Sequence, residues 1–232
     1  RFPWLAQGIT GRGPDDAAPF DLGFFGETGG GEAVWRRWCS LAELTGARRV
    51  IHGAQLHGSV VRVDEGGPPG IHLCWEADGH VSRERGALLA VSLADCVPVY
   101  LVHPGRRVVC LIHAGWRGIA AGILERGTET LGDRLGVSVG ELVFHAGPSI
   151  CGECYEVGPE VHEALGMQRP ENPKPVDLRR RLADGARSLG VPEEEITISG
   201  RCTRCGPSLF FSHRAGDAGR QVGFLGIRDG EG

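Results

Sequence analysis

Three residues far apart in the chain carry side chains used by metals and by nucleophilic chemistry. They are His57 in QLHG, Cys96 in ADC, and His113 at the head of HAGWRG. Imidazole nitrogen and thiolate sulfur both suit zinc, and three protein donors leave a fourth position open, the pattern of a catalytic rather than a structural site. A water at that position is acidified toward neutral pH and becomes a nucleophile. The same cysteine and histidine also offer a rival chemistry without metal, a thiolate nucleophile beside an imidazole base.

The neighbouring residues add the makings of an anion site. His113 follows the apolar run VVCLI, so it stands at the carboxyl end of a predicted strand. Ala-Gly-Trp-Arg-Gly then turns the chain toward a predicted helix. Gly115 lets the backbone come close to a ligand, the helix start offers unpaired N–H groups, and Arg117 brings a fixed cation with fork geometry for phosphate or carboxylate. Asp95 sits between two apolar runs, where an acid needs a partner or a task. It is the candidate for proton transfer or for orienting a ligand, with pairing to an arginine as the plainer alternative. Tyr155 and Arg214 are candidates for the pocket lining, and His145 reads as structural.

A second pattern is built from cysteine alone. Cys151 and Cys154 form one CxxC pair, and Cys202 and Cys205 another, with 47 residues between them. Two such pairs hold a structural zinc when the fold brings them together. Paired disulfides and unrelated reduced thiols are the alternatives. Cys39, Cys74 and Cys110 read as core fillers.

The elements that must position these residues are mostly short strands. Residues 48–55, 59–63, 87–93, 97–102, 107–112 and 141–147 are β-branched or apolar and bounded by turn residues. EITISG, LFFSH and VGFLGI extend the strand set. Helical spacing marks residues 32–45, with Gly46 as C-cap, and residues 119–135, 157–165 and 176–189. Residues 14–31 read as a glycine-rich loop. The mixture predicts an α+β fold with substantial mixed sheet. Neither a repeat nor a boundary interrupts it, so residues 1–232 are expected to form one domain.

Composition narrows the function classes. The 232 residues carry a net charge of −4, which provides no polycation for nucleic acid and no basic patch for a membrane surface. No apolar stretch approaches about 18 residues, so no transmembrane helix is expected. The opening residues RFPWLAQGITGRG lack the regions of a signal peptide. Eight cysteines at this length are too sparse for a disulfide scaffold, and the expected compartment is cytoplasmic.

QLHG, ADCVPV, HAGWRG, GPSI…CYEVGPEV and CT…LFFSHR…GR occur in this order, and ITGRG precedes them near the start. Across nearly the whole chain this succession resembles the multicopper polyphenol oxidase, or laccase-domain, family. Its members are now described as purine nucleoside phosphorylases with adenosine deaminase activity, and some bacterial ones as peptidoglycan editing factor. The resemblance implies a four-layer α/β/β/α arrangement shared with a group of cysteine hydrolases. It implies one zinc on His57, Cys96 and His113, beside a pocket for a purine nucleoside and inorganic phosphate. It also implies catalytic roles for Asp95 and Arg117 and substrate contacts from Arg12, Gln55, Gly115, Tyr155 and Arg214. His213 stands where the family usually has Tyr, and the second CxxC pair is not general in the family. Copper-dependent polyphenol oxidation is the weaker reading. A multicopper oxidase needs roughly ten histidines, largely in His-x-His pairs, whereas this chain has nine and no such pair. A blue-copper site needs an axial Met, and the lone Met167 follows a predicted helix in a polar loop. The remaining alternative is a cysteine hydrolase acting in peptidoglycan precursor editing, with Cys96 as nucleophile and His113 as base.

Overall fold

Alternation along three central strands sets the layering. The computed structural model describes residues 2–14, 19–25, 31–206 and 209–230. Its strands are β1 (Leu5–Ile9), β2 (Arg49–Gly53), β3 (Val61–Val63), β4 (Gly70–Cys74), β5 (Gly79–Ser82), β6 (Ala87–Leu93), β7 (Val97–His103), β8 (Val108–Ala114), β9 (Val143–Ala146), β10 (Glu156–Val157), β11 (Lys174–Pro175), β12 (Ile196–Ile198) and β13 (Gln221–Ile227). The helices are α1 (Glu32–Thr45), α2 (Trp116–Ala120), α3 (Ile123–Leu135), α4 (Pro159–Ala164) and α5 (Leu178–Leu189).

Side chains alternate across a strand with period two. On β6, Leu88 and Ala90 pack with Trp38 and Leu41 of α1. Leu89, Val91 and Leu93 face the other way, onto Tyr100 and Val102 of β7 and Val109 and Leu111 of β8. The opposite faces of β7 and β8 present Val97, Val99, Leu101, Val108, Cys110 and Ile112 to α3 and α5, through Ile123, Leu124, Leu131, Leu182 and Ala186. The result is four layers: α1, a five-stranded sheet, a six-stranded sheet, and α3 with α5. The sheets run β1-β13-β6-β2-β4 and β12-β9-β7-β8-β5-β3, both mixed in direction. This is the expected α/β/β/α arrangement.

Two features of this architecture make the site. β6 belongs to one sheet and β7 to the other, so the chain crosses between sheets at Ala94–Asp95–Cys96. The antiparallel register of β7 on β8 sets Val97 opposite Ala114 and Pro98 opposite His113, which brings Cys96 alongside Gly115.

Some elements differ from the sequence expectation for physical reasons. The helix expected over residues 119–135 is two helices, because Gly122 takes a left-handed φ of 76° between α2 and α3. LFFSH is not a strand. The Phe211 backbone is held instead by the side-chain amide of Gln221, which accepts from the Phe211 N–H at 2.7 Å and donates to its carbonyl at 3.1 Å. Cys110 is fully buried as expected of a core residue, whereas Cys39 and Cys74 are only half-buried. The loop expected over residues 14–31 falls partly on residues 15–18 and 26–30, outside the described residues. No helix among those described is long and apolar enough to cross a membrane.

Candidate active site and metal centre

His57, Cys96 and His113 converge. One ligand atom from each lies within 4.8 Å of the other two, and the two imidazole rings meet edge to face with centroids 4.8 Å apart. The three donors come from the β2–β3 loop, the crossing between sheets, and the end of β8.

Asp78, just ahead of β5, organises this convergence. Its carboxylate accepts the backbone N–H groups of Leu56 at 3.2 Å, His57 at 3.0 Å and Gly58 at 2.9 Å. Those bonds hold the β2–β3 loop with His57 at a left-handed φ of 58°. Such strain persists where the surroundings over-determine it. The same carboxylate accepts from His113 Nδ1 at 2.8 Å, which leaves His113 Nε2 as the free donor. A carboxylate behind a ligand imidazole is a recurrent feature of metal sites, where it fixes tautomer and ring orientation. Burial alone would raise the Asp78 pKa. The His113 hydrogen bond and charge, with the Gly58 N–H and His57, outweigh it and hold the carboxyl below its ordinary range.

Burial also opposes ionisation of Cys96, yet the charge and hydrogen bonding of His113, then of His57, draw its thiol down to about 6. Burial likewise opposes charging of His113, and the Cys96 thiolate and Asp78 together push it up to about 9. Two imidazoles and a sulfur poised as thiolate, one imidazole being fixed from behind, fit zinc.

Gly115 is required by space. A Cβ built there would lie 3.0 Å from Cys96 Sγ and 3.1 Å from His57 Cδ2. Gly118 is similarly close-set, with a Cβ falling 2.9 Å from the Gly58 carbonyl.

A cavity of about 490 Å³ opens over the triad. Gln55, Asp95, Gly115, Arg117, Tyr155 and Arg214, all singled out in the sequence, line it together with the three donors. Arg12 does not line it; its guanidinium lies over the Phe211 ring and 3.7 Å from Asp217. Gln55 spends its amide on both backbone groups of Ser92, at 2.8 and 2.7 Å. Asp95, at a left-handed φ of 86°, accepts from Thr203 Oγ1 at 2.6 Å and from the Arg214 backbone N–H at 2.7 Å. Its partners are therefore a hydroxyl and an amide rather than an arginine side chain. Arg117 stacks over Trp116 at 4.4 Å and forms no ion pair among the described residues. The Arg214 guanidinium covers the Tyr155 ring at 5.1 Å. Burial, then the Cys96 charge, raises the Tyr155 phenol to about 12, so it remains a donor at neutral pH. The helix start expected to bind an anion is only the five residues of α2. The positive charge at the cavity comes instead from Arg117, Arg214 and Arg220.

Sequence reasoning missed Asp78, Thr203, Arg220 and the aromatic walls Phe25 and Trp116. Asp78 lies in EADGH, which reads as a turn. Only the register of β5 on β8, with Gly79 opposite Ile112, brings it to His113. His145 on β9 hydrogen-bonds Thr197 of the edge strand β12 at 2.8 Å and does not line the cavity, in keeping with a structural role.

Fold and site define a four-layer protein with a metal-capable pocket where its two sheets meet. Residues 25–228 match the family described as multi-copper polyphenol oxidoreductase laccase, and the chain belongs to that family. It is similar to the purine nucleoside phosphorylase YlmD of Geobacillus stearothermophilus, with 35% identity over 200 residues, 77% of this chain and 70% of that protein. Similarity extends to the adenosine deaminase RL5 of an unknown prokaryotic organism, at 36% identity over 148 residues, or 59% of this chain and 56% of RL5. The crystal structure of the Geobacillus YlmD has the same fold, with a TM-score of 0.88 at 29% identity over 98% of this chain and 93% of that one.

Proposed function

We propose that the chain is a zinc-dependent purine nucleoside enzyme, a single domain that cleaves adenosine, inosine or guanosine-type nucleosides with phosphate and also deaminates adenosine. The observation that carries this reading is the convergence of His57, Cys96 and His113 under a cavity bearing three arginines. The names of the YlmD and RL5 relatives support it.

His57, Cys96 and His113 would hold the ion, which supplies Lewis acidity and acidifies water toward neutral pH. Arg117, with no ion pair of its own among the described residues, holds phosphate together with Arg220. Trp116, Phe25 and Tyr155 provide apolar faces for a purine, and a cavity of this size lies in the range of small-molecule sites. The Tyr155 hydroxyl donates a hydrogen bond to substrate. Asp95 orients the pocket wall by fixing Thr203 and the Arg214 amide, and Gln55 fixes Ser92. In phosphorolysis a phosphate oxygen bonds to C1′ of the ribose as the bond to the purine nitrogen breaks, giving free base and ribose 1-phosphate. In deamination water adds at C6 of adenine and ammonia leaves.

Turnover of adenosine by zinc-replete protein, with and without phosphate, tests the proposal. Free base plus ribose 1-phosphate appearing only with phosphate is the expected result. Failure to turn over any purine nucleoside would refute it. The thiolate-imidazolium character of Cys96 and His113 favours a cysteine hydrolase as the second reading. There Cys96 would be alkylated by iodoacetamide equally fast with and without zinc, whereas a ligand thiolate is protected until chelation. Copper oxidation has less support. Met167 is exposed and lines a separate surface depression beside His162 and Lys174 rather than the cavity over the donor set.

A further inference from the structure

The four remaining chemistry-bearing cysteines also converge, outside the nucleoside pocket. The sulfurs of Cys151, Cys154, Cys202 and Cys205 all lie within 4.8 Å of one another. We propose that these four cysteines form a closed structural zinc site that clamps the loop of residues 202–205 onto the turn of residues 151–154.

Three observations carry this assignment. The first is the spacing of the sulfurs. A zinc–sulfur bond of about 2.3 Å in tetrahedral geometry sets sulfurs about 3.8 Å apart. Cys205 Sγ lies 3.5 Å from Cys151 Sγ and 3.2 Å from Cys154 Sγ. One sulfur approached by two others at once is a coordination cluster, since a disulfide joins only a pair. The second is the backbone. Cys202 Sγ accepts the N–H groups of Cys151 at 3.3 Å, Arg204 at 3.3 Å and Cys205 at 3.4 Å. Convergent amide donors stabilise a thiolate, the form in which cysteine ligates a metal. Four thiolates this close repel one another unless a cation sits among them.

The third is where the cluster is anchored. Ser149 and Cys202 form a parallel bridge, with the Thr203 N–H donating to the Ser149 carbonyl at 3.1 Å. The Arg204 guanidinium reaches the Cys154 carbonyl at 3.1 Å and sets a cation beside a site that would carry net negative charge. Thr203, between the two cysteines of its pair, donates to Asp95 in the nucleoside pocket. Four protein sulfurs leave no vacant position, so the ion contributes folding free energy rather than catalysis. It makes the 202–205 loop a rigid strut behind Asp95.

The test is metal content and spectroscopy on the full chain. Purified wild-type protein is expected to hold about two zinc equivalents per chain, falling to about one in Cys205→Ser and to about one in His57→Ala. Because Cys205→Ser can also loosen the loop, wild-type protein is separately loaded with cobalt(II) alone. Intense sulfur-to-cobalt charge transfer of a four-sulfur tetrahedral set is expected in wild-type and in His57→Ala, and is lost in Cys205→Ser. This signature does not depend on the nucleoside reading, since His57→Ala removes the other site and leaves it intact. Iron in place of zinc, an intact mass revealing disulfides among these cysteines, or identical metal content in wild-type and Cys205→Ser would each overturn the proposal.

Discussion

His113 donates its Nδ1 proton to Asp78 at 2.8 Å, with both side chains almost fully buried. This pair turns one imidazole nitrogen toward the cavity, and the same carboxylate ties down the loop that carries His57. Asp78→Asn keeps the volume but replaces one acceptor oxygen with a donor group. Removing such a support behind a ligand typically lowers metal affinity about 10–100-fold. A zinc competition titration on the variant is expected to fall in that range, while Asp133→Asn, on the exposed face of α3, leaves zinc affinity unchanged. Wild-type zinc affinity in Asp78→Asn would mean that the carboxylate does not orient the donor set.

Arg117 has no acidic partner among the described residues, so its charge is available to an anion. Losing a hydrogen bond to a charged group costs about 1.5–3 kcal/mol, on the order of 10–100-fold in affinity. Arg117→Ala is expected to raise the KM for phosphate by that factor. Adenosine deamination measured without phosphate should change far less, because that reaction has no phosphate to hold. Equal losses in both reactions would place Arg117 at the nucleoside rather than at the anion.

Much of this architecture can be read from the chain. β6, β7 and β8 are buried on both faces, so they appear as nearly unbroken apolar runs, and α1 ends at the glycine that spacing marks. His57, Cys96 and His113 were legible as residue types, because imidazole and thiol at strand ends are uncommon without a task. What joins them was not. Asp78 acts through a strand register across 35 positions, and nothing local distinguishes it from a turn aspartate. Gly122 breaks a helix whose apolar spacing continues on either side. Thr203 works on Asp95 across 108 positions, a relationship set by the fold of the 202–205 loop rather than by any pattern near either residue.

Gly115 has an ordinary extended backbone, φ −85° and ψ 169°, so alanine fits the chain locally. The methyl group does not fit the site, where its nearest neighbours are Cys96 Sγ and His57. Overpacking of this kind costs about 1–3 kcal/mol. In Gly115→Ala that cost is expected to fall on the donor geometry. Zinc added to the metal-free variant should raise its Tm much less than it raises that of the wild type, while the metal-free Tm values stay close. An equal zinc-induced rise in both proteins would show that the site relaxes around the methyl at little cost.

His52 and His80 set the acid limit of stability. Burial pulls His52 down to about 4, against the Ala90 carbonyl that accepts its Nδ1 proton, and burial pulls His80 to about 3. The His80 Nε2 has no hydrogen-bond partner among the described residues, and the charges of Asp64 and Asp78 offset only part of the cost of burial. An unfolded chain titrates its histidines near 6.5. Below that pH the unfolded state binds protons the folded state refuses, and stability falls by about 1.4 kcal/mol per pH unit for each histidine. Because an unfolded histidine is only half-protonated at pH 6.5, the two together cost about 3 kcal/mol between pH 6.5 and 5, and the loss levels off only near the folded-state values. Urea unfolding measured across that window should show the slope. His80→Leu should remove about half of it, because one of the two refused protons is gone. An acid limb equally steep in His80→Leu would assign the destabilisation to carboxylates instead, with Asp78, held below its ordinary range by His113, the first to examine.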